Sequence, residues 1–363
     1  MNEEIVNAEE KATQVFKCPS CGANLSFSPK LQKLYCEHCE TVIDFEQNRD
    51  VKPLDYLTGG EKGEDWGEDT VVYRCNNCGA KEIISRTDIA RVCPFCGTTN
   101  VVETEELPGL RPTGVVPFSV DEAGAKSALI AWLRKKKLMP KKFRKRAFED
   151  ALNGIYNPCF VYDSNTLSSY HGRLGKYYTV TVGSGKNRHT ETRIRWFNVS
   201  GNYAADFRDY MIEASPHLDQ TTANKLKPYS YEQAAVYDKK FLSGFTASGY
   251  DEDVDVCWAK ARAGMERIIR QDIKAQYNAD VEDYLEVSTG HYNVTYRYLL
   301  LPIWFCNLPY KQKKYPFYIN GTTAKVVGKV PRSAGKIAAL VFGILAGLAG
   351  LGYLIWWLWP MLG

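Results

Sequence analysis

Histidine is scarce in this chain, five residues in 363, and no His-Glu-x-x-His pattern occurs. His171, His189, His217 and His291 stand isolated, which excludes a metalloprotease-type helix. Gly-Lys pairs occur at 175–176, 185–186, 328–329 and 335–336, but Ser or Thr follows none of them, so there is no phosphate-binding loop. Asp121-Glu122 opens a helix without nucleotide-binding context, and Asp251-Glu252-Asp253 reads as helix N-terminal charge. With no catalytic arrangement in view, the chain reads as non-enzymatic; a pocket gathering polar residues would be the exception. Charge of one sign is lacking too. The formal net charge is +4, and eight metal-bound thiolates with two divalent ions would bring it to about zero, so global charge argues for no partner. The first residues, Met1-Asn2-Glu3-Glu4, are acidic and without an apolar run, so no signal peptide is expected.

Cysteine, by contrast, is patterned. Cys18-x2-Cys21 and Cys36-x2-Cys39 are separated by fourteen residues, and so are Cys75-x2-Cys78 and Cys93-x2-Cys96. Each cysteine of the first quartet recurs 57 positions later, an internal repeat. Two thiols three apart reach one ion from a tight turn, and two such knuckles supply four sulfurs at about 2.3 Å from a tetrahedral zinc. Pro19 and Pro94 preset the turns, and Gly22, Gly79 and Gly97 follow a second cysteine; Glu40 takes that place in the least ideal knuckle. Disulfides or a redox Cys-x-x-Cys would not explain the doubling. Four thiolates leave no open position, so the two expected Zn2+ ions are structural, and His38 has no vacancy to fill. Each module is too short for its own core, and metal binding replaces one. Thiols kept reduced for metal point to the cytosol. Cys159, Cys257 and Cys306 lie in apolar surroundings and read as buried hydrophobes.

The pattern divides the chain into a polar segment (1–15), zinc ribbon one (16–46), a charged glycine-containing linker (47–69), zinc ribbon two (70–104), a basic helical connector (105–153) and an α+β domain with a mainly antiparallel sheet (154–332). Ser119-Val120-Asp121-Glu122 reads as a capping box ahead of a helix that Pro140 ends. Ile155–Tyr162, Tyr177–Val182, Thr192–Val199, Val294–Phe305, Tyr315–Ile319 and Lys325–Val330 read as strands. Glu252–Ala275 reads as a helix with Val256, Ala259, Ala263, Ile268 and Ile273 on its apolar face. Asn320-Gly321 predicts a hairpin turn with both residues at positive φ.

Ile337–Trp359 is twenty-three residues without a charge, and eleven of them are Leu, Ile, Val or Phe. At 1.5 Å per residue this spans a hydrocarbon core of about 30 Å. Trp356, Trp357 and Trp359 cluster at its far end, while Lys325, Lys329, Arg332 and Lys336 precede it. That asymmetry predicts a single-pass tail anchor with the N-terminus and bulk of the chain cytoplasmic. Gly343-x3-Gly347 would suit helix association. The run Arg134–Arg146 holds nine Lys or Arg in thirteen positions. It fits anionic lipid of the inner leaflet, a solvated helix face or nucleic acid.

Pro117-Phe118-Ser119-Val120, Trp132-Leu133-Arg134-Lys135, Gly154-Ile155-Tyr156-x-Pro158, Leu242-x-Gly244-Phe245, Leu300-Leu301-Pro302-Ile303-Trp304 and Asn320–Gly328, together with the Cys-Pro-x-Cys-Gly knuckles, resemble the bacterial membrane proteins with TFIIB-type zinc ribbons. Some of these carry the labels primosomal protein N′-like or phage replication protein. The resemblance covers nearly the whole chain, and Ala324 stands where that family's Asn-Gly-x-Thr-Gly-Lys has its second glycine. It implies a cytosolic domain tied to the membrane, with PspA-type or SPFH-type membrane proteins as neighbours, and supplies no activity. The helicase label shares only the ribbon with this chain. The expected function is therefore a membrane-anchored zinc-ribbon adaptor that binds a protein partner, the alternative being a membrane-tethered nucleic-acid binder.

Overall fold

The computed structural model describes residues 16–56, 70–85, 93, 95, 98, 101–104, 110–149, 152–215 and 218–358. The first cysteine module holds β1 (Ser26–Ser28), β2 (Lys33–Tyr35) and β3 (Val42–Ile43), followed by β4 (Leu54–Asp55). The second holds β5 (Thr70–Cys75), β6 (Lys81–Ser85) and β7 (Val101–Thr104). Then come β8 (Gly114–Val115), α1 (Glu122–Arg134) and α2 (Lys141–Glu149). The rest comprises β9 (Asn153–Val182), β10 (His189–Glu213), α3 (Gln220–Leu226), β11 (Ala235–Val236), β12 (Thr246–Ser248), α4 (Val254–Gln276), β13 (Val281–Tyr310), β14 (Lys313–Asn320), β15 (Val326–Gly328) and α5 (Ala334–Leu358).

Three strands carry the architecture. β9 and β13 run 30 residues each and β10 runs 25, and β9 pairs antiparallel with both of the others. At about 3.3 Å per residue a strand of this length extends about 100 Å. The pieces Ile155–Tyr162 and Tyr177–Val182 are thus one strand, not two. The polar stretch between them carries no reading in sequence, but its even-numbered residues Ser164, Thr166 and Ser168 are buried beneath α4 while the odd ones are partly or fully open. Gly172 permits the close approach: a Cβ there would lie 2.6 Å from the Tyr284 carbonyl oxygen. The sheet is mainly antiparallel, with β12–β9 and β13–β8 as parallel pairs.

α4 lies on one face of this long sheet. Its buried side chains are Cys257, Ala261, Met265, Ile269 and Ile273, which with Gly264 follow one four-residue seam. Of the expected stripe only Ile273 belongs to it; Val256 is 44% and Ile268 37% exposed. The period was legible, the phase was not, because Cys257 and Met265 carry as much of the seam as the aliphatics. Asp253 caps the helix, accepting from Val256 N at 2.9 Å.

Two local expectations are corrected. The N-cap of α1 is Asp121, which accepts from Gly124 N at 2.8 Å, and the Ser119–Glu122 capping box does not form. Ser119 N and Val120 N instead donate to Gly321 O, which ties this segment to the turn after β14. After Asn320 the turn is longer than two residues, and Ala324, at φ 57°, is its left-handed position. The Asn320 side chain binds inside the turn, accepting from Thr322 N at 2.7 Å and Thr323 N at 3.0 Å.

Neither cysteine module is free of the domain. Phe27 N donates to Ser243 O at 2.9 Å, Gln32 Nε2 to Phe118 O at 2.7 Å, and Phe27, Phe45 and Phe241 form one ring cluster. In the second module β6 pairs with β12, which joins it to the main sheet. The start of the expected linker is tied down as well: β4 pairs with β13, and Tyr56 Oη donates to Asp255 at 2.7 Å.

Candidate metal centre

Each described knuckle repeats one backbone device. Cys18 N, Cys36 N, Cys75 N and Cys93 N donate to the carbonyl five residues on, at Ala23, Thr41, Ala80 and Thr98, over 2.8 to 2.9 Å. Closing so tight a turn needs positive φ, which Gly22 takes at 73° and Gly79 at 76°. Glu40 takes 60°, the strained substitute that its sequence position suggested.

The turns bring the sulfurs together. Cys18, Cys21, Cys36 and Cys39 present ligand atoms that all lie within 4.8 Å of one another. Cys18 and Cys39 Sγ are 3.4 Å apart and Cys21 and Cys36 Sγ 3.5 Å. A disulfide would need about 2.05 Å, whereas four sulfurs around a tetrahedral ion at about 2.3 Å stand about 3.8 Å apart. The geometry is that of ligands. Cys75, Cys78 and Cys93 form the second group, with Cys78 and Cys93 Sγ 3.7 Å apart. Cys96, expected as its fourth ligand, lies outside the described residues. Both groups could hold a metal ion.

Electrostatics in the first group favour a cation. Burial raises the Cys18 thiol, but the N–H groups of Ser20 and Cys21 outweigh it and bring the thiol down to about 6. The hydroxyl and N–H of Thr41 lower Cys39. Cys21 moves the other way: the Ala23 N–H pulls it down, yet the surrounding sulfurs, Cys39 foremost, push it up to about 12. Four thiols so close cannot all ionise against one another, and a divalent ion removes that conflict.

The inner cysteines also belong to the core. Cys18 and Cys36 pack with Leu25, Phe27 and Leu34, and Cys75 and Cys93 with Ala80, Ile155 and Phe305. Asn307 Nδ2 donates to Phe95 O at 3.1 Å. Cys159, Cys257 and Cys306 are buried away from both groups, and burial pushes Cys257 up to about 12.

α5 is long and apolar enough to cross a membrane over Ala334–Gly352, and its side chains stand in the open, Phe342 at 75% exposure. Trp359 lies outside the described residues. The base of α5 is fastened to the turn between α1 and α2. Lys336 Nζ donates to Lys137 O at 3.1 Å and Met139 O at 2.8 Å, and Ser333 N donates to Leu138 O at 2.9 Å. Sequence reading missed this contact, since no pattern links residues so far apart. It holds exposed Arg134, Lys135, Lys137, Lys141, Lys142 and Lys145 beside the foot of the helix.

No family model matches the chain, and no solved structure matches it. It is 26% identical over 334 residues to an uncharacterized protein, YdjG, of Bacillus subtilis (strain 168), across 92% of this chain and 94% of that protein.

Proposed function

We propose that this chain is a non-enzymatic, membrane-anchored adaptor whose cysteine modules are zinc ribbons. Two Zn2+ ions are structural: eight cysteines, Cys96 completing the second set, close both shells, so the metals hold surfaces in shape. α5 is the single-pass anchor, and the bulk of the chain is cytoplasmic. The ribbons, joined to the body of the domain, bind a protein partner at the inner leaflet. The observation that carries this reading is the clamp of Lys336 onto the carbonyls of Lys137 and Met139. It makes the basic corner and the foot of the apolar helix one surface, with the cations where anionic headgroups would be, each favourable by about 1 kcal/mol.

The resemblance to the TFIIB-type membrane proteins makes PspA-type and SPFH-type proteins the partners to test first. The experiment is capture of the full-length chain from solubilised membranes, wild type against a form with both quartets changed to serine, alongside metal analysis and a chelated wild-type sample. Partners should be lost when the zinc is lost. A partner set that survives both treatments overturns the adaptor reading. Steeply salt-dependent binding of DNA or RNA would assign the basic corner to nucleic acid instead.

A further inference from the structure

A pocket of about 950 Å3 opens between the bulged end of β10, α3 and α4, and none of its lining residues belongs to a cysteine module. Four acids line it, and each is accounted for. Glu252 pairs with Lys260. Asp251 lies 3.7 Å from Lys81 Nζ. Asp219 accepts from Thr222 N at 2.9 Å and Thr222 Oγ1 at 2.7 Å. Glu213 is buried; its Oε1 accepts from Asn157 Nδ2 at 2.6 Å and Ser215 N at 3.0 Å, and burial pushes the carboxyl up to about 8, so it is neutral at pH 7.

Two cations in the same wall are not accounted for. The side chains of Lys227 and Arg267 make no ion pair and no hydrogen bond among the described residues. Lys227 is half-buried, and loss of solvent depresses its ammonium group. Asn224 spends its Oδ1 on Gln220 Nε2 at 3.2 Å, which leaves its amide hydrogens as donors, and the Tyr210 hydroxyl is a further wall group. Lys227, half-buried and without a partner among the described residues, carries a desolvation cost that a bound anion would remove, and the exposed Arg267 stands in the same lining without a partner. Apolar lining open to the pocket comes from Ala263 and Ile268 on α4, with Met211, Ile212 and Leu218 buried behind the wall.

We propose that this pocket binds a small organic carboxylate, its charged head on Lys227 and Arg267 and its apolar body against Ala263 and Ile268 of α4. A planar guanidinium suits a carboxylate, which it meets through paired hydrogen bonds. A singly charged head also fits better than a phosphate dianion, because Asp219, Asp251 and Glu252 stand in the same lining and repel the second charge. The site uses no metal ligand and no part of α5, so it stands or falls apart from the adaptor reading.

The test is calorimetric titration of the full-length chain in nanodiscs of zwitterionic lipid, with empty nanodiscs as the blank. The probe is 3-phenylpropionate, compared with 3-phenylpropionamide and phenyl phosphate. Saturable binding of the carboxylate is expected, about tenfold or more tighter than of the amide, and K227M and R267A should each weaken it by about tenfold. Arg267 is exposed on α4, so R267A carries the test alone should K227M lower the melting temperature. No saturable binding, equal binding of the amide, or binding that survives R267A overturns the proposal. Tighter binding of phenyl phosphate overturns the assignment to a single charge.

Discussion

Ala324 sits at φ 57°, where a Cβ crowds its own backbone at a cost of about 1 kcal/mol. The resembling family has glycine there, and glycine takes this conformation without that penalty. Ala324→Gly should therefore raise stability by about 0.5 to 1 kcal/mol, read as a higher melting temperature; a lower one would show that the turn relaxes otherwise. Asn320-Gly321 announced a turn in the sequence but not its kind. The kind follows from the Asn320 amide, which donates at 3.0 Å to both Leu226 O and Pro228 O, partners about ninety residues away in the chain. Glu213 was illegible altogether, since a lone glutamate at a strand end announces no burial. Its folded-state carboxyl keeps its proton up to about pH 8, against 4.5 as the ordinary value. Between those two values folding takes up a proton, so stability falls as pH rises, by at most about 1.4 kcal/mol per unit. Glu213→Gln removes this dependence while its Oε1 can still accept from Asn157 and Ser215. The melting temperature of the variant should gain on that of wild type steadily from pH 5 to pH 8. A difference that does not change with pH would mean that Glu213 ionises as an ordinary surface carboxylate.

At the scale of elements, alternation and spacing announced which kinds of structure form, and tertiary contact decided how far they run. The Ser, Thr and Asn residues of 163–169 carry no reading in sequence because their polarity hides the two-residue period. Burial under α4 restores it: Ser168 Oγ bonds Thr289 Oγ1 at 2.9 Å and Thr166 Oγ1 donates to Ala205 O at 2.8 Å. Glycine then marks contact between strands rather than an end. Gly172→Ala would press a Cβ against Tyr284 O and, at 2.9 Å, Leu285 Cα, so we expect a loss of about 2 kcal/mol and a lower melting temperature. The cysteine spacing made the four-sulfur site legible to the residue, because ligand geometry is local. What spacing could not carry is the seating of each module on the domain, through Phe27 on Phe241 and Phe95 on Phe305. Sharing a core couples the modules to the rest. Stripping the metal with a chelator should lower a single melting transition of the whole chain, followed by fluorescence and calorimetry. A separate early transition, with the main one unmoved, would show that the modules fold alone.

For the molecule as a whole, the decisive join is between segments about two hundred residues apart. α1 and α2 are basic for reasons that their own sequence leaves open, and the foot of α5 supplies the context. With Lys336 bound to the backbone of the α1–α2 turn, the basic run Arg134–Lys145 is held beside the foot of the apolar helix. A solvated face would not need that register. The consequence is measurable without the anchor's own affinity. A chain ending at Ser333 should still associate with vesicles containing anionic lipid and should release them as salt rises, since surface attraction fades within a Debye length of about 8 to 10 Å. Changing Lys135, Lys137, Lys141 and Lys142 to glutamine should weaken that association by about 1 kcal/mol per charge at low salt, with the melting temperature unchanged because all four side chains are exposed. Co-sedimentation across a lipid and salt series reads both effects. Equal binding to neutral and anionic vesicles, or indifference to the four substitutions, would return the basic corner to solvent.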